Sequence, residues 1–325
     1  MGVKDWLQLF RAQTAPATVL SILLPYLFSG GRDPLTIAII LVLGALTHFV
    51  SFGHNSLMDY FFDIHDPNKK HHPLESGRIS LDQASILING LMVILALLWI
   101  VVSIELSPSP TMSLIFLILY IVFGQAYNDW TDKLNENSYI YIAGCFMSLT
   151  AFGWSLGSGK FNMLGYIIIF FSGLTIYYQI AWEGNLKDLW NPKERNLLSK
   201  LGFRIINGRV VGPRYVNRAF MFVRLGLNTV TLSLMAVMIG SLTGLAFLVV
   251  MTIVESYAVG RIHLELEQLS RNKLLELMGL AEAFEFFRLA VLLPLAFWLP
   301  IVVASILYFL VMNRVLWGSN FGPRV

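Results

Sequence analysis

Three oxygen-bearing side chains, Asn55, Asp59 and Asp63, recur every fourth residue in the stretch Gly53-His54-Asn55-Ser56-Leu57-Met58-Asp59-Tyr60-Phe61-Phe62-Asp63. On a continuous helix they share one face, each about 6 Å along the axis from the next. Two carboxylates one turn apart repel by roughly a few tenths of a kcal/mol unless a cation lies between them. Hard oxygen donors in a row suit Mg²⁺, which takes one or two carboxylates together with waters and substrate phosphates. The plain alternative is the solvated end of a helix carrying ordinary acidic residues.

A second cluster reads Trp182-Glu183-Gly184-Asn185-Leu186-Lys187-Asp188-Leu189-Trp190-Asn191-Pro192-Lys193-Glu194-Arg195. Asn185, Asp188 and Asn191 fall roughly on one helical face, and Pro192 limits that helix. Asp66 and His71-His72-Pro73-Leu74-Glu75-Ser76-Gly77-Arg78 follow the first cluster, and Tyr127-Asn128-Asp129-Trp130-Thr131-Asp132-Lys133 lies between the two. Acidic clusters with Lys and Arg nearby fit Mg²⁺ and a diphosphate, whose charge needs metal ions plus cationic donors. The plain alternative is loop charge that keeps one membrane face wet. Arg224 and Glu255 stand inside apolar segments, where charges mark function by default but can also pair quietly. His48 reads as a hydrogen-bonded interior histidine and Cys145 as a packing residue, since a lone cysteine fits no disulfide or metal pattern.

These residues need elements to position them, and composition says which. The 325-residue chain is 56% hydrophobic and 13% charged, with a mean hydropathy of +0.66. Soluble proteins carry roughly twice that charge, so this reads as an all-α, multi-pass membrane protein. Segments of about 20 residues, long enough to cross a bilayer, fall near 15–30, 35–56, 82–104, 110–127, 138–157, 163–185, 219–239, 241–259 and 287–312. A tight turn near Gly240 joins the seventh and eighth. With the N-terminus in the cytoplasm, eighteen Lys and Arg fall on the inner side and four (Arg32, Lys160, Arg314, Arg324) on the outer. That bias predicts nine spans with a cytoplasmic N-terminus. The N-terminal stretch has no signal-peptide pattern, and Trp6, Leu7 and Phe10 suggest a short interfacial helix.

The long connections, 57–81, 128–137, 187–218 and 260–286, all fall on the predicted inner side, as a functional cap would. Segment 260–286 alternates charge with Leu and Phe at helical spacing, which predicts an amphipathic connector lying along the membrane surface.

The row Asn55, Asp59, Asp63 resembles the first aspartate-rich motif of the UbiA superfamily of intramembrane prenyltransferases. Downstream, His72-Pro73-Leu74-Glu75-Ser76-Gly77 stands at the spacing of that family's Arg-Pro-Leu-Pro-Ser-Gly. Leu9-Phe10-Arg11 with Pro16 is similar to the family's entry into helix one, Tyr127 with Lys133 to its Tyr…Lys pair, and Lys187-Asp188-x-x-Asn191 to the start of its second aspartate-rich motif. The resemblance implies a single domain over residues 1–325, with nine helices around a central cavity and a cytoplasmic cap bearing two metal motifs. It also implies two Mg²⁺ ions on the diphosphate of an isoprenyl donor and a lipid-facing groove for the prenyl tail. The acceptor would be an aromatic ring, a quinone precursor, a porphyrin-like ring or a glycerol phosphate. Ser56, His72 and Asn191 depart from the family's usual Asp, Arg and Asp.

Both readings predict Mg²⁺-dependent prenyl transfer from an isoprenyl diphosphate to a lipophilic acceptor. Asn55, Asp59 and Asp63 on one side, and Asp188, Asn191 and Glu194 on the other, are the expected metal ligands. Asp59, Asp63, Asp188 and Lys133 carry the chemistry. Arg78, Tyr127, Lys133, Lys187, Arg195, His72 and Arg11 are expected at the diphosphate. Aromatic walls, with Tyr177 and Tyr178 as candidates, would shelter a carbocation from water. Two other functions stay open: a cyclase of the same fold acting on the prenyl diphosphate alone, and a membrane transporter or silent scaffold. A transporter more often shows internal repeats with broken helices, and no clear repeat is present. Partners are membrane lipid and no nucleic acid, and the expected location is a prokaryotic plasma membrane with the site on the cytoplasmic side. No pattern specifies the acceptor, the prenyl length or the oligomeric state.

Overall fold

Apolar runs rich in Leu, Ile, Val and Phe become helices because a segment in lipid must satisfy every backbone N–H and C=O internally. The computed structural model describes residues 2–66, 69–130, 138–190, 196–240 and 242–319. In chain order the helices begin with α1 (Val3–Leu9), α2 (Ala15–Phe28), α3 (Pro34–Asp63), α4 (Leu81–Leu106) and α5 (Pro110–Gln125). A π-helical turn, Ala126–Trp130, continues α5. Then come α6 (Ser138–Gly157) and α7 (Met163–Tyr178), and a second π-helical turn, Gln179–Gly184, leads into the short α8 (Asn185–Asp188). After α9 (Leu197–Lys200), strands β1 (Arg204–Ile206) and β2 (Arg209–Val211) precede α10 (Arg214–Ile239), α11 (Leu242–Leu264), α12 (Arg271–Ala290) and α13 (Leu295–Trp317).

Among the described residues, eight helices are long and apolar enough to cross a membrane. The first of the nine expected spans is α2, with 14 residues. At 1.5 Å per residue it covers about 21 Å, short of the roughly 30 Å hydrocarbon core. Local chemistry sets several boundaries. Ser80 caps α4 through a capping box, its Oγ accepting from the Gln83 N–H at 3.2 Å while Gln83 Oε1 accepts from the Ser80 N–H at 3.3 Å. Gly240, at φ +68°, turns α10 into α11 in a left-handed conformation that glycine adopts without strain.

The chain forms two compact units, residues 1–131, 144–165 and 305–325, and residues 132–143 and 166–304. In the first unit α2 and α6 meet so closely that a Cβ on Gly153 would lie 2.2 Å from the Ile22 carbonyl oxygen. Trp99 stacks on Phe152 with centroids 4.2 Å apart and donates its indole N–H to Thr47 Oγ1 at 3.1 Å. His48 is interior: Thr18 Oγ1 lies 2.9 Å from its Nδ1, and the Arg11 carbonyl 3.1 Å from its Nε2. Cys145 is buried.

In the second unit the described residues 196–211 of the 187–218 connection carry α9 and a hairpin. Asn207 and Gly208, at φ +51° and +74°, make the two-residue turn of a hairpin that pairs Ile206 with Arg209 and Arg204 with Val211. The 260–286 connector is amphipathic, with Lys273 and Glu276 about half exposed on one face. Helix α11 runs on to Leu264, and α12 buries Leu274, Leu277, Met278 and Ala281 in the unit's core, together with the charged Glu285 and Arg288. The last span therefore starts at Leu295 rather than near residue 287, after the break at Pro294.

Candidate functional site

The first cluster sits on the last turns of α3. Asn55, Asp59 and Asp63 follow one another on its face, and Asn55 Nδ2 donates to Asp59 Oδ2 at 2.7 Å. Asp63 is 7% exposed and takes a hydrogen bond from Lys69 Nζ at 2.6 Å. Burial pushes the Asp63 carboxyl above its usual range. Lys69 pulls it back, and the charges of Asp59 and Glu75 add to the rise.

The segment after Asp63 is pinned over this helix end. Leu74 and Ile79 pack with Leu9 and Phe10 near α1 and with Ala84 and Ile88 of α4. His72 Nδ1 and Glu75 Oε2 are 2.6 Å apart, with the Glu75 side chain 2% exposed. His72 and Glu75 are thus partners within this segment. Arg78 ties the segment to α1, donating from Nη1 to Asp5 Oδ1 at 2.6 Å and to Gln8 Oε1 at 3.1 Å. Its Nη2 donates to the His71 carbonyl at 2.6 Å. Arg11 has a left-handed backbone, φ +47°, and its guanidinium lies 5.4 Å from the Phe52 ring centroid. Tyr127 lies in the π-helical turn after α5, where Asn128 Nδ2 is 3.3 Å from His54 Nδ1.

The second cluster sits at the end of α7 and on α8. Asn185 Nδ2 donates to the Tyr139 hydroxyl at 2.7 Å and to the Ala181 carbonyl at 2.9 Å, so this amide is committed to the fold. Trp182 stacks on Phe220 and His263, with centroids 4.3 and 5.1 Å apart, and fixes the preceding turn. Lys187 and Asp188 follow on α8, half-buried. Burial raises the Glu282 carboxyl above its usual range, and the Lys187 charge is the largest opposing influence. Lys133, Asn191, Glu194 and Arg195 lie outside the described residues. Of the two expected wall tyrosines, Tyr177 is 38% exposed. Tyr178 is buried and its hydroxyl is 2.7 Å from His263 Nε2.

The structure adds a group that spacing alone does not reveal. Arg224 of α10 is fully buried among Glu183, Glu255 of α11 and Glu285 of α12, and Arg288 pairs with Glu255 at 2.6 Å. Arg224 and Glu255 stand out as charges within spans. Glu285 does not, because it lies in the 260–286 segment whose charge alternation looks like a surface helix, and Arg288, one residue inside the expected last span, counts there as an inner-side charge.

The α3 face offers two carboxylates and an amide oxygen, a hard-oxygen set that fits Mg²⁺. Among the described residues no group of three or more His, Cys, Asp or Glu side chains surrounds a common point.

A model of the UbiA prenyltransferase family matches residues 16–274. Curated proteins offer no sequence match. Among solved structures the chain is similar to one from work on a digeranylgeranylglyceryl phosphate synthase in membranes, at 18% identity over 93% of this chain and 98% of that one, with a TM-score of 0.60. It is similar also to a UbiA homologue from Archaeoglobus fulgidus bound to DMAPP and Mg²⁺, at 14% identity over 88% and 99% of the two chains and a TM-score of 0.58. An apo UbiA homologue from Aeropyrum pernix K1 is 12% identical over 89% and 96%, with a TM-score of 0.59.

Proposed function

For a chain that belongs to the UbiA prenyltransferase family, and so is an intramembrane prenyltransferase, we propose Mg²⁺-dependent transfer of an isoprenyl group from an allylic diphosphate to a lipophilic acceptor. The observation that carries this reading is the oxygen row of Asn55, Asp59 and Asp63 at the end of an apolar helix, with a cation already drawn to Asp63. Those three side chains would hold one Mg²⁺, and Asp188 with Asn191 and Glu194 a second. Bound there, Mg²⁺ supplies Lewis-acid neutralisation of the leaving diphosphate.

The chain's own residues do the remaining work. Lys187, Arg78 and Arg11, with Lys133 and Arg195, offer charge-assisted donors to the diphosphate oxygens as the allylic C–O bond breaks. Tyr127 offers a hydroxyl, and His72 a ring nitrogen, with the ring held in place by the 2.6 Å contact of its Nδ1 with Glu75 Oε2. Arg78 would give up contacts to Asp5 and Gln8 to take this part. Apolar and aromatic walls keep water from the electron-poor prenyl carbon. The acceptor, an aromatic, quinone-precursor or glycerol-phosphate type, forms the new bond to that carbon and loses a proton. The excess of Lys and Arg on the connections that carry both clusters supports a site on the cytoplasmic side, and the location we propose is a prokaryotic plasma membrane.

The test is product mass. Purified protein is incubated with each allylic diphosphate from dimethylallyl to geranylgeranyl, with and without pooled acceptors. A product that joins donor and acceptor with loss of diphosphate supports transfer. A hydrocarbon formed without any acceptor would replace transfer with cyclisation, and a folded protein that consumes no donor would overturn the reading.

A further inference from the structure

Buried charges in the second unit converge on the end of the helix that carries Asp188. Arg224 Nη1 bonds to Glu183 Oε1, Nε donates to Glu255 Oε1 at 3.3 Å, and Nη2 lies 3.1 Å from Glu285 Oε2. All four side chains are 1% exposed or less. One guanidinium thus joins α10 to α11, to α12 and to the π-helical turn Gln179–Gly184. Gln179, at the other end of that turn, donates to Glu285 at 2.8 Å, so the turn is gripped at both ends by one network. A π-helical turn holds an extra residue, and its conversion to ordinary helix would rotate everything beyond it by about 100°. Asp188 stands five residues beyond Glu183.

Burial of ions does little for stability by itself, because desolvation consumes most of the attraction and well-packed apolar residues often serve as well. What a forked guanidinium shared by three carboxylates does supply is a single geometry. We propose that Arg224 is a positioning residue of the prenyl-transfer reaction: through Glu183 it holds the π-helical turn and thereby sets the place of Lys187 and Asp188. The inference rests on the metal-holding role assigned above to Asp188.

The experiment uses the full chain in detergent. Its first readout is the Mg²⁺ concentration at the midpoint of the Mg²⁺-induced rise in Tm, with a substrate diphosphate present. Its second is the Mg²⁺ concentration for half-maximal diphosphate release. Arg224→Lys keeps the charge and loses the fork, and Glu183→Gln keeps the shape and most of the hydrogen bonding, so it tolerates folding even where the lysine does not. Ser113→Val, which removes a hydroxyl buried between Ser107 and Ser155 in the other unit, serves as a control for general destabilisation.

Both Mg²⁺ concentrations rise at least about tenfold in Arg224→Lys and Glu183→Gln, in line with the large penalties that follow small misplacements of reacting groups. The double variant does no worse than the more affected single one, since both remove the same contact. Ser113→Val lowers Tm without moving either concentration. The inference is overturned if Glu183→Gln and any folded Arg224→Lys bind and use Mg²⁺ as the wild type does, or if Ser113→Val shifts the Mg²⁺ midpoint equally. A wild type with no Mg²⁺ response and no diphosphate release would overturn the underlying reading of Asp188 and, with it, this one.

Discussion

Replacing Lys69 with Ala removes the ammonium that sits 2.6 Å from Asp63. The two side chains are 31% and 10% exposed, between a surface pair and a buried one. Surface pairs contribute about 0.2–1 kcal/mol, and breaking a buried pair costs about 3–5 kcal/mol. Discounted for solvent screening on the lysine side, the expected loss is about 1–2 kcal/mol, or a few degrees in Tm. Asp63 is already raised by burial, and loss of Lys69 removes the largest influence that lowers it. A folded-state pKa above the unfolded one favours the folded state while the group is protonated, and this is lost as pH rises through the folded pKa. The deficit of Lys69→Ala is therefore full at neutral pH and fades as pH falls and Asp63 takes up its proton. A metal on Asp63 changes the comparison, because Mg²⁺ no longer competes with the lysine. Thermal unfolding with titrated Mg²⁺ should show a larger stabilisation of the variant than of the wild type, approaching about 2.7 kcal/mol at a hundred times Kd. Equal Mg²⁺ responses in the two proteins would refute a metal at Asp63, whatever the size of the Tm loss.

Gly153→Ala places a methyl group against the Ile22 carbonyl of α2, and a forced separation of the two backbones should cost about 1–3 kcal/mol, read as a fall in Tm. Asn196 is 1% exposed, donates to the Asn185 carbonyl at 2.9 Å, and accepts from the Ser199 N–H at 3.1 Å as the cap of α9. Asn196→Ala should cost about 1–2 kcal/mol and speed amide hydrogen exchange around residues 197–200. Leaving that exchange unchanged would argue against the cap.

Much of this architecture can be read from local signals. The apolar runs, the Gly240 turn and the Asn55–Asp59–Asp63 face each depend on residues within a few turns of one another, where spacing and side-chain type decide the outcome. The burial of α12 does not. Glu285 and Arg288 look like surface charges until Arg224, Asn228, Gln179 and Glu255 are brought to them from more than thirty positions away. The hairpin has a local signal, Asn207-Gly208, but its strands are three residues each and carry Arg204 and Arg209, so alternation is too short to register. Arg78 shows a different gap. Its position fits a phosphate donor, whereas its bonds to Asp5 and Gln8 depend on where α1 folds back, which no motif encodes. The bond of the Tyr178 hydroxyl to His263 is likewise beyond any motif, since His263 lies far along the chain.

Diphosphate release in the presence and absence of Mg²⁺, by wild type and Asp63→Asn, tests the account most directly. The substitution keeps the shape of the side chain and removes one of the two carboxylates from the α3 face. Release that requires Mg²⁺ and falls by orders of magnitude in a folded Asp63→Asn is the predicted result. Release that proceeds without Mg²⁺, or at an undiminished rate in Asp63→Asn, would contradict a metal-held diphosphate at the end of α3.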